Sequence, residues 1–499
     1  MHDCLCVDEI VRLITGELVA ATQHATTIAF ACCRKSFDDP VLDVLWETQC
    51  RLLPLLKTLP GDIWSPGGYK TFQRLPTTQE WARLRKYARR MRDLQEEDTL
   101  NRISPQVLSA LQFHLLNKPL LPNLKTLALS IRDDYIPLIP YILSPGTTAI
   151  TMRAFENLPE VVLASMITAL PTLCPGLQSI ILYNLPKTPI ITAALSRFLL
   201  TTNRNILEHF WVACPLLEEA REVLYKLPGL NQLQTMINGS AGLPTLVLPG
   251  LIDLSIGYDH GYDWLQGFRG ASLGYLDSLQ IFSESDSVDG FLEEFESVAL
   301  TTSISKTLLA FSFHTPRAWR PNYRSLLPFT KLEGLVIQFS CRFGCSSTID
   351  DDTITDSARA MPKLETLHIG GSPCGTPAGI TTKGLSALAH YCVRLSDLRI
   401  HFQVASLAPL ETPAFASHDE WSVLMEDCAL TVLDAGDTPV PEESALMVAL
   451  TLLRIFPRLR SIEYSDDEGW ETVTNAILLS GKLAYHSRPR ETPQRAVRS

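Results

Sequence analysis

A six-residue apolar pattern recurs along the chain, with large apolar side chains at its first, fourth and sixth positions. Its clearest copy is Leu332, Leu335 and Ile337. Further copies begin at Leu124, Leu177, Leu207, Leu251, Leu276, Leu308, Leu364, Leu395 and Leu459. Two degenerate copies, Leu230–Leu233 and Leu430–Leu433, lie between them. From Leu177 onward, successive copies begin 21 to 35 residues apart. Such spacing is typical of a tandem repeat.

The three apolar positions cannot share one face of a straight strand, because strand side chains alternate with a period of two. They converge if the chain turns after the first position, so that the fourth and sixth side chains point inward together. One short strand and one helix or turn per unit make a leucine-rich repeat. Ordinary βαβ units with a parallel sheet between helices are the alternative. We therefore predict an α/β fold in which residues 121–466 form a leucine-rich-repeat solenoid, an irregular arc.

The flanking segments and one long gap complete this organisation. The gap between Leu124 and Leu177 predicts another unit around Ile150–Met152. Residues 51–120 are predicted to be a helical linker and N-terminal cap, with one helix over Thr78–Leu94 that has a basic face. Ser104-Pro105 opens a second helix there. Residues 467–499 are predicted to be a capping helix from about Trp470, followed by a disordered basic tail.

Residues 1–50 predict a small unit of three helices. The first helix places apolar residues at helical spacing, at Ile10, Leu13, Ile14 and Leu18. The second is predicted from Thr22 to Cys33. The third is predicted to start at Asp39, which can cap it, with Pro40 in the first turn where its missing N–H costs nothing.

The order of residues in the first 65 positions is distinctive. It runs through Leu5, Asp8-Glu9-Ile10, Leu13-Ile14, Leu18, Ala31-Cys32-Cys33-Arg34-Lys35, Asp39-Pro40-x-Leu42-x-x-Leu45-Trp46 and Leu59-Pro60-x-Asp62-x-Trp64. This order resembles an F-box, and especially those of basidiomycete fungal proteins that combine an F-box with leucine-rich repeats. The Leu-Pro opening usual in that family is replaced here by Leu5-Cys6-Val7.

The resemblance implies a function as an adaptor. Residues 1–50 would bind a Skp-type adaptor, and through it a cullin, in an SCF-type ubiquitin ligase, while the repeats would hold a protein substrate for ubiquitination. The chain itself would be non-catalytic and would act by raising the effective concentration of its two partners. The residues that would divide between the internal core and the adaptor face are Leu5, Ile10, Leu13, Ile14, Leu18, Leu42, Leu45 and Trp46.

Two other functions stay open. In the first, the chain is a leucine-rich-repeat scaffold acting outside ubiquitination, and the N-terminal helices are only a cap that buries its apolar surface. In the second, it is an enzyme or a GTPase-activating repeat protein, which requires an Arg or a nucleophile at one rim of the solenoid. No such residue stands out, and the sequence carries no phosphate-binding, zinc-protease or nucleophile-elbow motif.

Composition narrows the class of partner. Apolar residues make up 46% of the 499 residues and charged residues 19%, as in well-packed globular proteins. The net charge of −11 argues against nucleic acid as a partner. No run of about 18 apolar residues predicts a membrane span, and the N-terminus lacks the basic start of a secretory signal. We therefore expect a cytoplasmic or nuclear protein that contacts no membrane.

The cysteines and the acidic run at Asp350–Asp352 predict no metal site or other cofactor. Twelve cysteines are too dilute for a disulfide scaffold, and those at the starts of repeats are expected to be buried, at Cys174, Cys214, Cys392 and Cys428. The close pairs lack a second pair of ligands at zinc spacing. Asp350–Asp352 could bind a cation but is better explained as a cap for the helix near Thr355.

One loop of the repeat region is a candidate for substrate binding. It follows a repeat strand, is rich in glycine and carries four aromatic or imidazole side chains, at Tyr258, His260, Tyr262 and Trp264. Aromatic residues in such loops are frequent anchors for a partner. They are equally familiar as residues that pack the loop itself, and both interpretations remain open.

Overall fold

The computed structural model describes most of the chain. The described residues are 7–65, 71–96, 104–115, 118–131, 136–154, 158–237, 247–259, 261–269, 271, 273–285, 288–316, 319, 321–339, 349–370, 379–404, 428–436, 438, 440–464 and 468–487. They form two compact units, Met1–Met236 and Ile237–Ser499. The predicted N-terminal helices and cap therefore belong to one compact unit with the first repeats.

The first unit begins with three helices and continues as a parallel sheet. The helices are α1 (Asp8–Ala20), α2 (His24–Cys32) and α3 (Lys35–Glu47). The strands, hydrogen-bonded in chain order, are β1 (Thr48–Gln49), β2 (Asp93–Glu96), β3 (Thr126–Ile131), β4 (Ala149–Ala154), β5 (Ser179–Tyr183), β6 (His209–Pro215) and β7 (Gln232–Ile237). The helices between them are α4 (Leu53–Leu56), α5 (Thr78–Ala88), α6 (Pro105–Leu115), α7 (Ile139–Ile142), α8 (Glu160–Leu173), α9 (Pro189–Thr201) and α10 (Glu218–Leu224).

The second unit repeats this arrangement. Its parallel strands, again in chain order, are β8 (Asp253–Tyr258), β9 (Ser278–Ser283), β10 (Ala310–Thr315), β11 (Gly334–Phe339), β12 (Thr366–Ile369), β13 (Asp397–Ile400), β14 (Val432–Gly436) and β15 (Ser461–Tyr464). Its helices are α11 (Phe291–Thr301), α12 (Ile304–Thr307), α13 (Asp351–Ala360), α14 (Thr382–Tyr391), α15 (Ala445–Ile455) and α16 (Glu468–Ser487). Several connections are single 3-10 turns, at Gly61–Ile63, Ile136–Leu138, Asp263–Phe268, Tyr323–Leu326 and Glu442–Ser444.

The register of the strands explains the six-residue pattern. Its fourth positions pair across the sheet, as Phe311 with Leu335 and Leu335 with Leu367, and its sixth positions pair in the same way. Both rows are buried. At the first position the chain turns: the Leu332 amide donates to the Phe329 carbonyl, 3.2 Å away, and the same bond recurs at Leu124, Leu177, Leu364, Leu395 and Leu459. The predicted leucine-rich-repeat solenoid is confirmed for each unit, including the hidden unit, which is β4.

A second recurring bond fixes each repeat to the one before it. The amides of Glu365 and Thr366 both donate to the carbonyl of Glu333, at 2.7 and 3.0 Å. Glu333 and Gly334 likewise share the carbonyl of Leu309. Because a buried backbone polar group must find a partner, this shared acceptor allows the chain to leave its turn and enter the strand without an unpaired amide. The segments between successive strands differ in length, and this difference lies on the side of each unit that carries the helices.

Two predicted helices have different bounds in the structure. The helix predicted over Thr78–Leu94 ends at Ala88, and Leu94 lies in β2, which pairs with β3. The third N-terminal helix begins at Lys35 instead of Asp39, and no side chain caps it. The helix begins earlier in the chain than predicted because Phe37 lies on its buried face, one helical turn before Val41. The predicted C-terminal helix is confirmed as α16, and the tail beyond Ser487 lies outside the described residues.

Candidate functional site

The three N-terminal helices have a very small core of their own. It consists of Val11, Phe37 and Val41, with Phe30 and Leu45 packed against its edge. Thr15 is also buried, and its hydroxyl donates to the Val11 carbonyl at 2.7 Å. A core of this size covers only part of the apolar surface of these helices. The remaining apolar side chains are therefore available to a neighbour.

The apolar side chains of α1 extend beyond that core. Successive residues of a helix are about 100° apart around its axis. On that spacing buried Val11 is followed around the helix by half-buried Ile14 and Ile10, then by exposed Glu17, and last by Leu13, which is 71% exposed and lies about 160° from Val11. In α2, Ile28 is 58% exposed and Thr27 is buried. Exposed apolar side chains therefore lie on both helices outside their core.

The eight residues assigned to adaptor binding fall into three groups. Leu13 is exposed, and Leu5 lies outside the described residues. The other six are half-buried: Ile10, Ile14, Leu18, Leu42, Leu45 and Trp46. The Trp46 ring lies 4.9 Å from the ring of Tyr87 on α5, centroid to centroid. Trp46 and Leu45 thus serve internal packing at least in part, whereas Leu13 is an exposed apolar residue outside the core.

Ion pairs and backbone bonds join these helices to the cap. The Arg90 guanidinium, whose side chain is 11% exposed, bonds to the carboxylates of Asp39 and Asp43 and donates to the Asp39 carbonyl at 3.1 Å. Arg12 on α1 also bonds to Asp43. The Arg92 amide donates to the Glu47 carbonyl at 2.8 Å, immediately before β1 pairs with β2. Arg90 and Arg92, which belong to the basic face predicted for the helix over Thr78–Leu94, therefore hold α1–α3 in place from beyond the end of α5.

The aromatic loop of the repeat region is mostly packed inward. Tyr258 and Trp264 are buried, with ring centroids 5.6 Å apart, and both contact Phe291. Tyr262 is half-buried, and its hydroxyl donates to the Asp289 carbonyl at 2.9 Å. His260 lies outside the described residues. These contacts favour the loop-packing interpretation for Tyr258 and Trp264, and burial raises the pKa of the Tyr258 hydroxyl.

The register also reveals residues that sequence reasoning missed. The fifth position of each repeat points away from the buried rows, onto the open face of the sheet. In the first unit this face carries Trp211 beside Ile181, and Arg153 lies over the ring of Tyr183 at 5.7 Å. The pattern could have located the fifth positions, but only the observed register shows which of them are neighbours.

In the second unit the open face is polar and internally paired. The His368 imidazole lies 2.9 Å from the Asp397 carboxylate, and the Arg399 guanidinium lies 3.1 Å from that of Asp434. Phe282 on β9 and His314 on β10 have stacked rings. Burial lowers the pKa of the His314 imidazole. A partner on this face would therefore meet ion pairs and hydrogen-bonding groups instead of an apolar patch.

The structure shows where the repeat cysteines and the acidic run lie. Cys174, Cys214, Cys392 and Cys428 are buried, and burial raises the pKa of the Cys392 thiol to about 12. A thiol with such a pKa is a poor nucleophile at neutral pH. Asp350 caps α13, accepting from the Thr353 amide at 2.8 Å. Within the described ranges, no three His, Cys, Asp or Glu side chains are arranged to hold a metal ion.

Fold and surface together define a leucine-rich-repeat protein with an additional N-terminal helical unit. No family model matches the chain, and no curated protein matches it. Solved structures do match. The leucine-rich repeat-containing protein LegL7 of Legionella pneumophila is 11% identical, with 70% of this chain and 94% of that chain covered and a TM-score of 0.35.

Two further solved structures match this chain with similar identity, coverage and TM-score. A protein from Bacteroides fragilis is 13% identical, with 68% of this chain and 75% of that chain covered and a TM-score of 0.30. A chain of the yeast Rad7 and Elc1 complex is 15% identical, with 62% of this chain and 84% of that chain covered and a TM-score of 0.29. Of the helices that the structure describes, none has the length and apolar character needed to cross a membrane.

Proposed function

We propose that the chain is a non-catalytic substrate-recognition adaptor, in which α1–α3 bind a Skp-type adaptor of an SCF-type ubiquitin ligase and the repeats bind a protein substrate. The observation that carries this proposal is the exposure of apolar side chains on α1 and α2. Leu13 is 71% exposed and Ile28 is 58% exposed, outside the core of the three-helix unit. The F-box resemblance of the same residues supplies the identity of the partner.

The alternative function, a scaffold whose N-terminal helices are only a cap, makes a different demand on these residues. A cap stabilises the end of a solenoid by burying apolar surface against the first repeat. The described contacts between the helices and the cap include the Trp46–Tyr87 pair, the ion pairs of Arg90 and the bond from the Arg92 amide to the Glu47 carbonyl. Leu13 and Ile28 take no part in them. Their exposure supports a binding surface over a cap, because a cap would bury such side chains against the first repeat.

The direct test is a pull-down with a purified Skp-type adaptor. It is carried out with the full chain and with the Leu13→Asp variant of the full chain. A charge at the centre of an apolar contact is expected to weaken binding at least tenfold, since central interface residues commonly contribute more than about 1.4 kcal/mol. Leu13 is suited to this test because its exposure means that the variant keeps the internal core. Trp46 and Leu45 are less suited, since both are partly packed inside.

A matched control is Leu450→Asp, which also changes an exposed leucine in the middle of a helix, here α15. This variant is expected to bind as the unchanged protein does. If the folded full chain binds no Skp-type adaptor, the ubiquitin-ligase function is excluded and the scaffold function remains. If both variants lose binding equally, the surface has been assigned to the wrong helices.

A further inference from the structure

A second apolar surface lies on the N-terminal cap, in a groove between α5 and α6. The groove is open and about 720 Å³ in volume. We define it by Leu75, Pro76, Trp81, Ala110, Phe113 and His114. Two of the residues that line it are unusually exposed for large apolar side chains: Leu75 is 74% exposed and Phe113 is 82% exposed. Neither side chain is needed to close the core beneath it.

The floor of the groove is built from packed rings and a capped helix turn. Trp81 is buried, and its ring stacks on the imidazole of His114 with centroids 4.3 Å apart and planes 11° from parallel. Trp81 also lies edge-on to Phe72 at 6.4 Å. The first turn of α5 is fixed by a capping box, in which Thr77 and Glu80 bond to each other's backbone amides. A ligand would therefore meet a preformed surface, which lowers the entropic cost of binding.

The charged groups beside the groove are Arg85 and the ion pair of Arg74 with Glu80. Arg85 follows Trp81 by one helical turn and lies on the same side of α5. It is close enough to His114 to contribute, after burial, to lowering the pKa of that imidazole. The nearest carboxylate on α5, Glu80, is already engaged, since its oxygen lies 2.7 Å from the Arg74 guanidinium. Among the described residues, no carboxylate lines the groove.

From this combination we propose that the groove binds an acidic amphipathic helix of a partner protein. Apolar side chains one turn apart would enter between Leu75 and Phe113 over the Trp81–His114 pair, and acidic residues at the edge would face Arg85. A helix that docks in this way presents apolar anchors at i, i+3, i+4 and i+7. The groove lies on α5 and α6 and shares no residue with the exposed apolar side chains of α1 and α2.

The test uses fluorescence anisotropy with the full chain and a labelled amphipathic peptide that carries leucine at every third or fourth position and glutamate elsewhere. Two comparison peptides have lysine in place of glutamate or a scrambled order. The acidic peptide is expected to bind most tightly, and its affinity is expected to fall as salt is added. Equal binding of all three peptides, or no binding, would overturn the proposal.

Matched variants locate the site. Phe113→Ser is expected to weaken binding about tenfold or more, as truncation of a central anchor does, whereas Val161→Ser on α8, also an exposed apolar residue, leaves it unchanged. Arg85→Glu is expected to weaken binding several-fold, while Arg83→Glu, on the opposite side of α5, has a smaller effect. A concentration-dependent dimer that Phe113→Ser abolishes would overturn the proposal by showing that a second copy occupies the groove.

Discussion

The carboxylate of Asp351 connects α13 to the amino end of α14. One oxygen accepts from the Thr381 amide at 2.8 Å and from the Gly384 amide at 2.9 Å. The other accepts from the Thr381 hydroxyl at 2.6 Å. Asp351 thus supplies, from the neighbouring repeat, the anionic group that the amino end of α14 lacks.

The expected cost of Asp351→Ala follows from these bonds. A hydrogen bond to a charged group contributes about 1.5–3 kcal/mol, and bonds to one group are not additive. Removal leaves two helix-terminal amides without their acceptor, although water reaches this half-buried position. We therefore expect about 3 kcal/mol of local destabilisation. Since 1.4 kcal/mol is a factor of ten, hydrogen exchange of the amides in α14 should be about a hundredfold faster.

Asp352→Ala is the matched control. Its carboxylate contacts only the exposed Lys383 ammonium, at 3.0 Å, in solvent that screens the pair. We expect no measurable change in the exchange of α14. Mass-spectrometric exchange of both variants makes the comparison directly. Equal effects of the two substitutions would refute the assignment of Asp351 as the connecting group, and unchanged exchange in both would show that packing alone fixes α14.

A second substitution tests the same geometry from the other side. A Cβ at Gly384 would lie 2.7 Å from the Asp351 carboxylate oxygen. Gly384→Ala is therefore expected to displace the carboxylate and to destabilise α14 in the presence of Asp351. In the Asp351→Ala background the same change should cost less, and a double-mutant cycle measures this coupling. Additive effects would contradict the contact.

Three further predictions concern the two ends and the core. Arg90→Ala is expected to cost about 2 kcal/mol by removing the partner of Asp39 and one of the two partners of Asp43, and limited proteolysis should then cut α1–α3 first. Trp470→Phe removes the donor to the Thr438 carbonyl, 2.6 Å from the indole nitrogen, and is expected to lower the melting temperature through an unsatisfied buried acceptor. Alkylation at pH 8, followed by mass spectrometry, should modify exposed Cys50 before buried Cys392, whose pKa is raised to about 12.

Each of these predictions has a control or a contrary outcome. Arg92→Ala should leave proteolysis unchanged, because its side chain is exposed and lies 3.8 Å from Glu47. A melting temperature of Trp470→Phe equal to that of the unchanged protein would show that water replaces the indole. Alkylation of Cys392 at the rate of Cys50 would mean that the repeats open readily in solution.

The repeat pattern predicts the solenoid well because its first position does not fit a straight strand. Leu335 and Ile337 share one face of a strand by alternation alone, but Leu332 joins them in the core only because the chain turns there. The pattern fails where its spacing coincides with that of a helix. Met91 and Leu94 are three residues apart, which suits both structures, and both were assigned to the preceding helix, although Met91 follows that helix and Leu94 lies in β2.

The candidate site was less predictable for a related reason. Whether Leu13 belongs to the core or to the surface depends on how many neighbours its helix has, and a sequence does not specify that number. Tyr258 and Trp264 show the converse. Their loop composition suits a binding site, yet Phe291, 27 residues further along the chain than Trp264, supplies the apolar surface that buries them. Such long-range packing is absent from any local pattern.

The direct connection between α3 and the sheet affects how the proposed adaptor would work. A flexible tether would only raise the local concentration of a bound substrate. Here α3 ends at Glu47, β1 begins at the next residue, and β1 pairs at once with β2 of the first repeat. The ion pairs of Arg90 fix the helices from the side. Within the first unit, a partner held on α1 and α2 therefore has a defined orientation relative to the open face that carries Trp211, so the position of a bound substrate would be set by structure and not by diffusion of a linker.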